Sequence, residues 1–234
     1  MSKRQTILVI SDLHVPFDHP DAVQFLRALK KKYKPTDVIS IGDEVDYHAL
    51  SFHDSDPDLH SAGDELKMAR KRLKEYAKLF PKMTIIESNH GSMVMRKALA
   101  NGLPKDMIKS YQDILQVPKT WKWVFDTVIQ TPMGPVYFCH GKAVTSGRMA
   151  SQFGMSVIQG HFHSKAQITY ISTPERLMFD AHTGCLADDK SLALGYNKID
   201  SKRPVVSLIL IENGVPRILP MILKKGGRWN GYVP

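Results

Sequence analysis

The sequence has few cysteines and no long apolar run, and each shortage excludes a class of protein. Two cysteines among 234 residues, Cys139 and Cys185, cannot form a disulfide scaffold and favour a reducing, cytoplasmic location. The longest apolar run, Val205–Ile211, is strand-sized, whereas a membrane span needs about 20 residues. The N-terminal segment lacks the apolar stretch of about 7–15 residues found in secretory signals. We therefore expect a protein that is neither exported nor held in a membrane.

Acidic residues are scarce relative to basic ones. Lys and Arg total 32 against 23 Asp and Glu, which gives a formal net charge of +9. This excess favours anionic partners, although net charge concerns association and not fold. The hydrophobic fraction of 43% is ordinary for a folded protein, and the length suits a single domain over residues 1–234. The sequence does not indicate an oligomeric state.

Short β-branched runs alternate with amphipathic patterns along the first two thirds of the chain. Five runs are predicted to be strands: Thr6–Ile10, Val38–Ile41, Met83–Glu87, Val136–Cys139 and Ser156–Gln159. Continuous apolar runs of this length are typical of strands buried on both faces. Five segments are predicted to be helical: Asp21–Tyr33, Ser61–Phe80, Met93–Ala100, Lys105–Leu115 and Val144–Phe153.

The pattern becomes rich in strands after residue 165. Four further strands are predicted: Gln167–Ile171, Arg176–Ala181, Val205–Ile211 and Arg217–Leu223. Alternating strands and helices followed by more strands indicate two packed sheets flanked by helices. The predicted fold class is therefore α/β, a four-layer αββα sandwich. Ligands bind beyond the carboxyl ends of strands in such folds, so polar clusters at those ends can form one site.

Each of the first five predicted strands ends in a polar cluster, and we select seven residues of these clusters as candidate metal ligands. They are Asp12, His14, Asp43, Asn89, His140, His161 and His163. Three carboxylate or amide oxygens and four imidazoles suit a pair of transition-metal ions better than Ca²⁺. Residues i and i+2 share a face of a strand, which predicts that Asp12 and His14 point the same way. The same spacing relates His161 to His163, and Asp43 can bridge two ions about 3.5–4 Å apart.

The five clusters resemble, in order, the motifs of the calcineurin-like metallophosphoesterases. The family pattern runs D-x-H, G-D-x-x-D, G-N-H-[DE], H and G-H-x-H. The corresponding segments here are Asp12-Leu13-His14, Gly42-Asp43-Glu44-Val45-Asp46, Ser88-Asn89-His90-Gly91, His140-Gly141 and Gly160-His161-Phe162-His163. The resemblance spans residues 6–164, and it implies the four-layer sandwich together with metal-dependent hydrolysis of phosphoesters.

The resemblance also implies a role for each matched residue. One ion would be held by Asp12, His14, Asp43 and His163, and the other by Asp43, Asn89, His140 and His161. The implied cofactors are two divalent ions, with Mn²⁺ preferred and Fe, Zn, Ni or Co as alternatives. In the family mechanism a hydroxide held between the ions attacks phosphorus. His90 matches the histidine that protonates the leaving oxygen.

Two residues depart from the family pattern. Ser88 stands where the family has glycine, and Gly91 replaces the acid that usually orients the catalytic histidine. The candidates to replace that acid are Asp46, Glu44 and the acidic loop Asp54–Asp58. We assign Asp46, together with His90, to catalysis.

The substrate is left open by these motifs. His48, His53 and His182 are candidates for substrate binding. A surface histidine fits His48 and His53 about as well, and a core or second-layer histidine fits His182 equally well. The leading hypothesis is a phosphodiesterase or nuclease acting on DNA or RNA, and the alternative is a phosphomonoesterase acting on nucleotides or other small phosphates. A third hypothesis is a metal-binding module without activity. The arrangement also resembles phosphoesterases encoded by phages and prophages, which act in a host cytoplasm.

Overall fold

The computed structural model describes residues 4–51, 58–188, 190–191 and 203–234, and two β-sheets form its centre. The first sheet contains, in spatial order, β11 (Val215–Pro220), β10 (Ser207–Glu212), β1 (Thr6–Ile10), β2 (Asp37–Ser40), β3 (Met83–Ile86) and β4 (Trp121–Val124). The second contains β5 (Thr127–Thr131), β6 (Gly134–Cys139), β7 (Ser156–Gln159), β9 (Leu177–Thr183) and β8 (Ala166–Ser172).

Five α-helices accompany the sheets in the described part of the chain. They are α1 (Ala22–Tyr33), α2 (Ala62–Leu79), α3 (Met93–Ala100), α4 (Tyr111–Leu115) and α5 (Arg148–Phe153). Two short 3-10 turns cover His48–Leu50 and Lys105–Met107. Among the described residues, no helix is long and apolar enough to cross a membrane.

Side-chain alternation along the central strands creates separate cores between the layers. In β1, Ile7 and Val9 enter the core between the two sheets, while Leu8 packs with the helices on the other face. In β6, Phe138 enters the same inter-sheet core, while Cys139 packs outward against α5. Strands buried on both faces must be apolar throughout, as their sequences are. The predicted α/β sandwich is thereby confirmed.

Parallel pairing brings the polar clusters to one edge. β1, β2 and β3 are neighbouring parallel strands of the first sheet, and β6 and β7 are parallel neighbours in the second. Their carboxyl ends are followed by the five segments that carry the motifs. Because parallel strands end at the same edge, the candidate ligands from both sheets can meet there.

Some element boundaries differ from the prediction for local reasons. The segment predicted as one helix over Lys105–Leu115 is a 3-10 turn followed by α4, which starts where the Ser110 hydroxyl accepts a hydrogen bond from the Asp113 amide at 3.2 Å. The helix predicted from Val144 begins only at α5, after Gly147 with φ of +83°. β4 and β5 were not predicted, because neither segment has a clear alternating or continuous apolar pattern.

Candidate metal centre

The loops after five strands bring the seven candidate ligands together, and as a candidate site we call these residues the metal centre. One group of donor atoms comes from Asp12, His14, Asp43 and His163, and a second from Asp43, His140 and His161. Within each group the donor atoms lie within 4.8 Å of one another. Asn89 joins the second group, since its Oδ1 lies 2.8 Å from Nε2 of His140. Asp43 belongs to both groups, which is the position that a bridging carboxylate would need.

Short distances between nitrogen and oxygen donors define the two groups. His14 Nε2 lies 3.1 Å from His163 Nε2 and 3.4 Å from Asp43 Oδ2. In the second group, His140 Nε2 is 3.2 Å from the same Asp43 oxygen. Imidazole nitrogens and carboxylate oxygens converging in this way are the donor set of transition-metal sites, so the residues present fit divalent metal ions.

Left-handed backbone conformations orient several of the candidate ligands. The expectation that alternation along a strand would orient them is therefore wrong. Asp12, His14, Asp43 and His161 have positive φ angles of 43°, 50°, 47° and 69°. None of them lies in a strand, so the alternation of side chains along a strand does not explain how Asp12 and His14 converge. Left-handed conformations are uncommon for residues other than glycine and gather at functional sites, where surrounding contacts hold them.

The ligand carboxylates also tie the loops to one another. Asp12 Oδ1 accepts a hydrogen bond from the amide of His161 at 3.0 Å, which joins a loop of the first sheet to one of the second. Asp43 Oδ1 accepts a hydrogen bond from the amide of His90 at 3.1 Å. Asp43 thus fixes a neighbouring loop with Oδ1 and turns Oδ2 towards His14 and His140. Asp12 differs, because its Oδ2 accepts a hydrogen bond from the Ser11 hydroxyl and its Oδ1 also faces the histidines of the centre.

Ser88, the first departure from the family pattern, has a structural role that the sequence did not reveal. Its hydroxyl accepts hydrogen bonds from the amides of Asp43 at 2.8 Å and Gly91 at 3.1 Å. A Cβ on Gly42, which has φ of +102°, would come within 2.6 Å of the Ser88 Cβ. Glycine at position 42 therefore allows Ser88 to join the Asp43 loop to the loop that carries His90.

The second departure, Gly91, is explained by the neighbouring carboxylate. A Cβ at Gly91 would lie 3.0 Å from both oxygens of Glu44, so Glu44 fills the space into which a side chain at 91 would extend. Glu44 Oε1 accepts a hydrogen bond from Trp123 Nε1 at 3.0 Å, and Oε2 has no partner in the described part of the chain. Burial raises the pKa of Glu44 to about 7.

Among the described residues, Asp46 has the only carboxylate within 4.0 Å of a ring nitrogen of His90. His90 Nδ1 donates a hydrogen bond to the main-chain oxygen of Asp46 at 2.5 Å and lies 3.7 Å from its carboxylate. The same carboxylate is 2.6 Å from Nδ1 of His14 and orients that ring. Because a carbonyl oxygen only accepts, Nδ1 of His90 carries a proton and Nε2 is left for other partners. Of the loop Asp54–Asp58, also a candidate, residues 54–57 lie outside the described residues.

His140 and Asp43 at the centre shift each other's pKa. Burial opposes the charged form of His140, but Asp43 outweighs it and raises the pKa of His140 to about 9. Burial alone would raise the pKa of Asp43, yet His140 and His14 hold it well below its usual range. Among the described residues, no lysine or arginine forms an ion pair with a carboxylate of the centre.

The three histidines predicted to bind substrate have different surroundings. His48 Nδ1 lies 4.0 Å from the Asp46 carboxylate, the same carboxylate that lies 3.7 Å from Nδ1 of His90. His53 lies outside the described residues. His182 is only 1% exposed, its Nε2 lies 3.3 Å from the main-chain oxygen of Ala143, and burial lowers its pKa. This burial favours the alternative interpretation of His182 as a core histidine.

Comparisons with known proteins agree with the motifs. A family model described as calcineurin-like phosphoesterase matches residues 5–200. Vacuolar protein sorting 29 from Cryptosporidium parvum is 13% identical with a TM-score of 0.50, over 94% of this chain and 92% of that one. The same protein from Chaetomium thermophilum, in complex with a cyclic peptide, is 13% identical with a TM-score of 0.51, over 97% and 92%.

Pseudomonas putida nuclease MPE is 14% identical with a TM-score of 0.37, over 92% of this chain and 86% of that one. The two Vacuolar protein sorting 29 structures show a shared fold and no more. None of the curated proteins matches the chain.

Proposed function

The chain belongs to the calcineurin-like phosphoesterases, and on that premise we propose that it hydrolyses phosphoesters with the help of two divalent metal ions. The observation that carries the proposal is the position of Asp43, whose carboxylate is shared by two adjacent groups of donors. A single structural metal would need only one closed group of four ligands. Two groups around one carboxylate instead fit the paired ions of phosphoester-cleaving enzymes.

The residues that would hold each ion follow from the two donor groups. The first ion would be bound by Asp12, His14, Asp43 and His163, and the second by Asp43, Asn89, His140 and His161. We propose Mn²⁺ as the preferred ion, with Fe, Zn, Ni or Co as alternatives of similar ligand preference. When bound, such ions stabilise charge on the phosphoryl oxygens and make water acidic enough to act as a nucleophile near neutral pH.

His90 is the residue that we assign to proton transfer. Its Nδ1 is held by the main-chain oxygen of Asp46, so the ring is oriented with Nε2 free. The Asp46 carboxylate lies 3.7 Å from the same ring nitrogen and helps to hold the ring in this orientation. A protonated Nε2 can then donate to the oxygen that leaves phosphorus. Asp46 thus performs the orienting role that a side chain at Gly91 would have had.

We propose a phosphodiester as the leading substrate class, and DNA or RNA as its source. The net charge of +9 supports this choice, because it attracts polyanions. A phosphomonoesterase acting on nucleotides or other small phosphates is the alternative. A metal-binding module without activity is the third, and the absence of an acid at Gly91 is the feature in its favour.

A panel of substrates tests the proposed function. Metal-free protein is mixed with Mn²⁺ and assayed on p-nitrophenyl phosphate, bis(p-nitrophenyl) phosphate, a mononucleotide, and single-stranded DNA and RNA. We expect no hydrolysis without metal and cleavage of the diesters once Mn²⁺ is added. Preference for the monoesters would select the alternative, binding of metal without any hydrolysis would select the third hypothesis, and activity that survives exhaustive chelation would contradict the mechanism.

Salt dependence gives an independent test of a nucleic-acid substrate. Binding of single-stranded DNA should weaken steeply with salt, with a logarithmic slope of about −0.7 for each phosphate contacted. The measurement is fluorescence anisotropy of a labelled strand on protein that carries a non-cleaving Asp43→Asn substitution. A flat salt profile would instead favour a small substrate.

A further inference from the structure

A cavity of about 370 Å³ opens directly beside the second group of proposed ligands. Asn89, His140 and His161 form part of its wall. If phosphorus is bound at the metal centre, as the proposed function states, a group esterified to it has this cavity within reach. The other residues that line the cavity therefore bear on which ester group is accepted, and the inference rests on the proposed function to that extent.

Phe125 presents an exposed aromatic ring to this cavity. It lies on the two-residue link between β4 and β5, where the chain passes from the first sheet to the second, and it is 69% exposed. A single exposed apolar residue is ordinary on a protein surface. Phe125 differs because its ring borders a cavity that also contains metal-ligand candidates and charged side chains.

Lys142 supplies a fixed positive charge in the same cavity. Its Nζ lies 5.4 Å from the centre of the Phe125 ring, donates a hydrogen bond to the Tyr137 hydroxyl at 2.5 Å, and is 3.6 Å from the Asp126 carboxylate. Its main-chain amide donates to Oε1 of the buried Gln159 at 3.1 Å. These contacts hold the ammonium group near the aromatic ring, so less side-chain entropy is lost when an anion binds.

A carboxylate completes the set of groups that line the cavity. Glu87, at the end of β3, is a cavity residue and offers an acceptor for hydroxyl or amino groups. An aromatic face, an ammonium group and a carboxylate match the three parts of a nucleotide, which are a flat base, a phosphate and the hydroxyl or amino donors. A sugar phosphate or inorganic phosphate has no flat ring to place on Phe125.

We propose that this cavity is a nucleotide subsite, in which Phe125 stacks against a base and Lys142 neutralises phosphate charge. Stacking of a base on an aromatic side chain contributes about 1–3 kcal/mol, which corresponds to about 5- to 150-fold in affinity. The subsite favours esters of nucleosides over esters of simple alcohols. It is compatible with a mononucleotide and with one unit of a strand, which share this chemistry.

Isothermal titration calorimetry of the Mn²⁺-loaded protein tests the subsite with three probes. Adenosine 5′-monophosphate, ribose 5-phosphate and inorganic phosphate are titrated, and chromatography checks that each probe stays intact. We expect the nucleotide to bind at least about 5-fold more tightly than ribose 5-phosphate. Equal affinities for these two probes would overturn the proposal.

Substitutions at Phe125 separate stacking from a general effect on the site. Phe125→Ala should lower the affinity for the nucleotide to that for ribose 5-phosphate and leave inorganic phosphate unchanged, while Phe125→Trp should keep the preference. Tyr170→Ala, at another exposed aromatic residue outside the cavity lining, is the matched control and should change nothing. An unchanged nucleotide affinity in Phe125→Ala would refute stacking at this position.

Lys142→Met tests the charge with little change in side-chain length. All three probes should bind about 2- to 5-fold more weakly, the range expected for one partly exposed ion pair. Unchanged affinities would remove Lys142 from the subsite.

The outcomes for subsite and proposed function can be told apart. Binding that depends on Phe125 without hydrolysis of any ester would leave the subsite standing while the proposed function fails. Hydrolysis of esters without dependence on Phe125 would support the proposed function and refute the subsite. To tell a free nucleotide from a strand as the source, the same variants are titrated with a single-stranded oligonucleotide.

Discussion

Two clusters of buried carboxylates in this protein differ in where their counter-charge comes from. Asp18 lies 2.7 Å from the guanidinium of Arg72 and accepts a hydrogen bond from the Tyr76 hydroxyl. The carboxylates of the metal centre face imidazoles, and no lysine or arginine pairs with them among the described residues. The chain completes the first cluster with its own cation, whereas the second is arranged so that external cations can complete it.

This difference separates a stability role from a functional one. Burying a carboxylate beside a fixed guanidinium produces a structural link, here between the Asp18 loop and α2. Carboxylates and imidazoles whose donor atoms converge leave room for exchangeable ions, and the left-handed backbone at Asp12 and Asp43 is the conformational cost of that arrangement. Substitutions in the two clusters should therefore affect different properties of the protein.

The largest effect is expected for Asp43→Asn. A neutral amide cannot bridge two cations, so both ions should be lost and hydrolysis should fall by about 10⁴-fold, because metals stabilise the transition state by several kcal/mol. Steady-state kinetics and elemental analysis measure the two losses. Asp18→Asn, the same change at a buried carboxylate of the other cluster, is the control and should keep both ions. Retention of both ions in Asp43→Asn would contradict the proposal that Asp43 binds both ions.

His90→Ala should divide metal binding from catalysis. Removal of one general acid costs about 10²–10⁴-fold in rate, while the ions stay bound because His90 is not among the proposed ligands. Kinetics with a poor leaving group and metal content are measured together. His60→Ala, at an exposed histidine, serves as the control. A fully active His90→Ala protein would remove His90 from the mechanism.

Arg72→Met should affect stability and leave metal content unchanged. Removal of one partner from a buried ion pair typically costs about 3–5 kcal/mol, because Asp18 is then left without its cation. Urea unfolding of chelated protein measures the loss. The double variant Asp18→Asn with Arg72→Met should recover most of it, since no unpaired charge remains. A single variant as stable as the wild type would show that this pair does not stabilise the fold.

The smallest effect is a dependence of stability on pH at Asp18. Burial, partly offset by Arg72, raises its pKa from 3.8 to about 6. A carboxyl with a raised pKa in the folded state favours folding below pH 3.8, and this contribution is lost as pH rises through 6. Over that interval the wild type should lose about 3 kcal/mol relative to Asp18→Asn. Parallel stability profiles of the two proteins, measured by urea unfolding between pH 4 and 8, would contradict the shift.

The sequence predicted more of the metal centre than of its surroundings, for a physical reason. The residue types at positions such as Asp12 and His140 indicate an ability to bind metal. Because these residues follow buried strands, they are predicted to lie close together. The roles of Ser88 and Glu44 depend on contacts between distant segments. Gly91 is a departure in the sequence, and only the neighbouring Glu44 carboxylate accounts for it.

Phe125 illustrates the same limit. It sits on a link between two strands that were not predicted, so no sequence pattern placed its ring beside the second group of ligands. The αββα layers follow from the apolar runs of β1 and β6, whose successive side chains enter different cores. Such runs can be recognised in a short stretch of sequence. The conformation of the loops, including the positive φ of His14, depends on tertiary contacts and cannot be predicted from the neighbouring sequence.

The central claim is that the metal centre binds two divalent ions through a shared Asp43. Isothermal titration of Mn²⁺ into metal-free protein tests it most directly, because it counts ions without relying on any substrate. Two ions per chain in the wild type, together with the loss of both in Asp43→Asn, are the predicted result. Absence of Mn²⁺ binding to the wild type, or a stoichiometry unaffected by Asp43→Asn, would contradict the account.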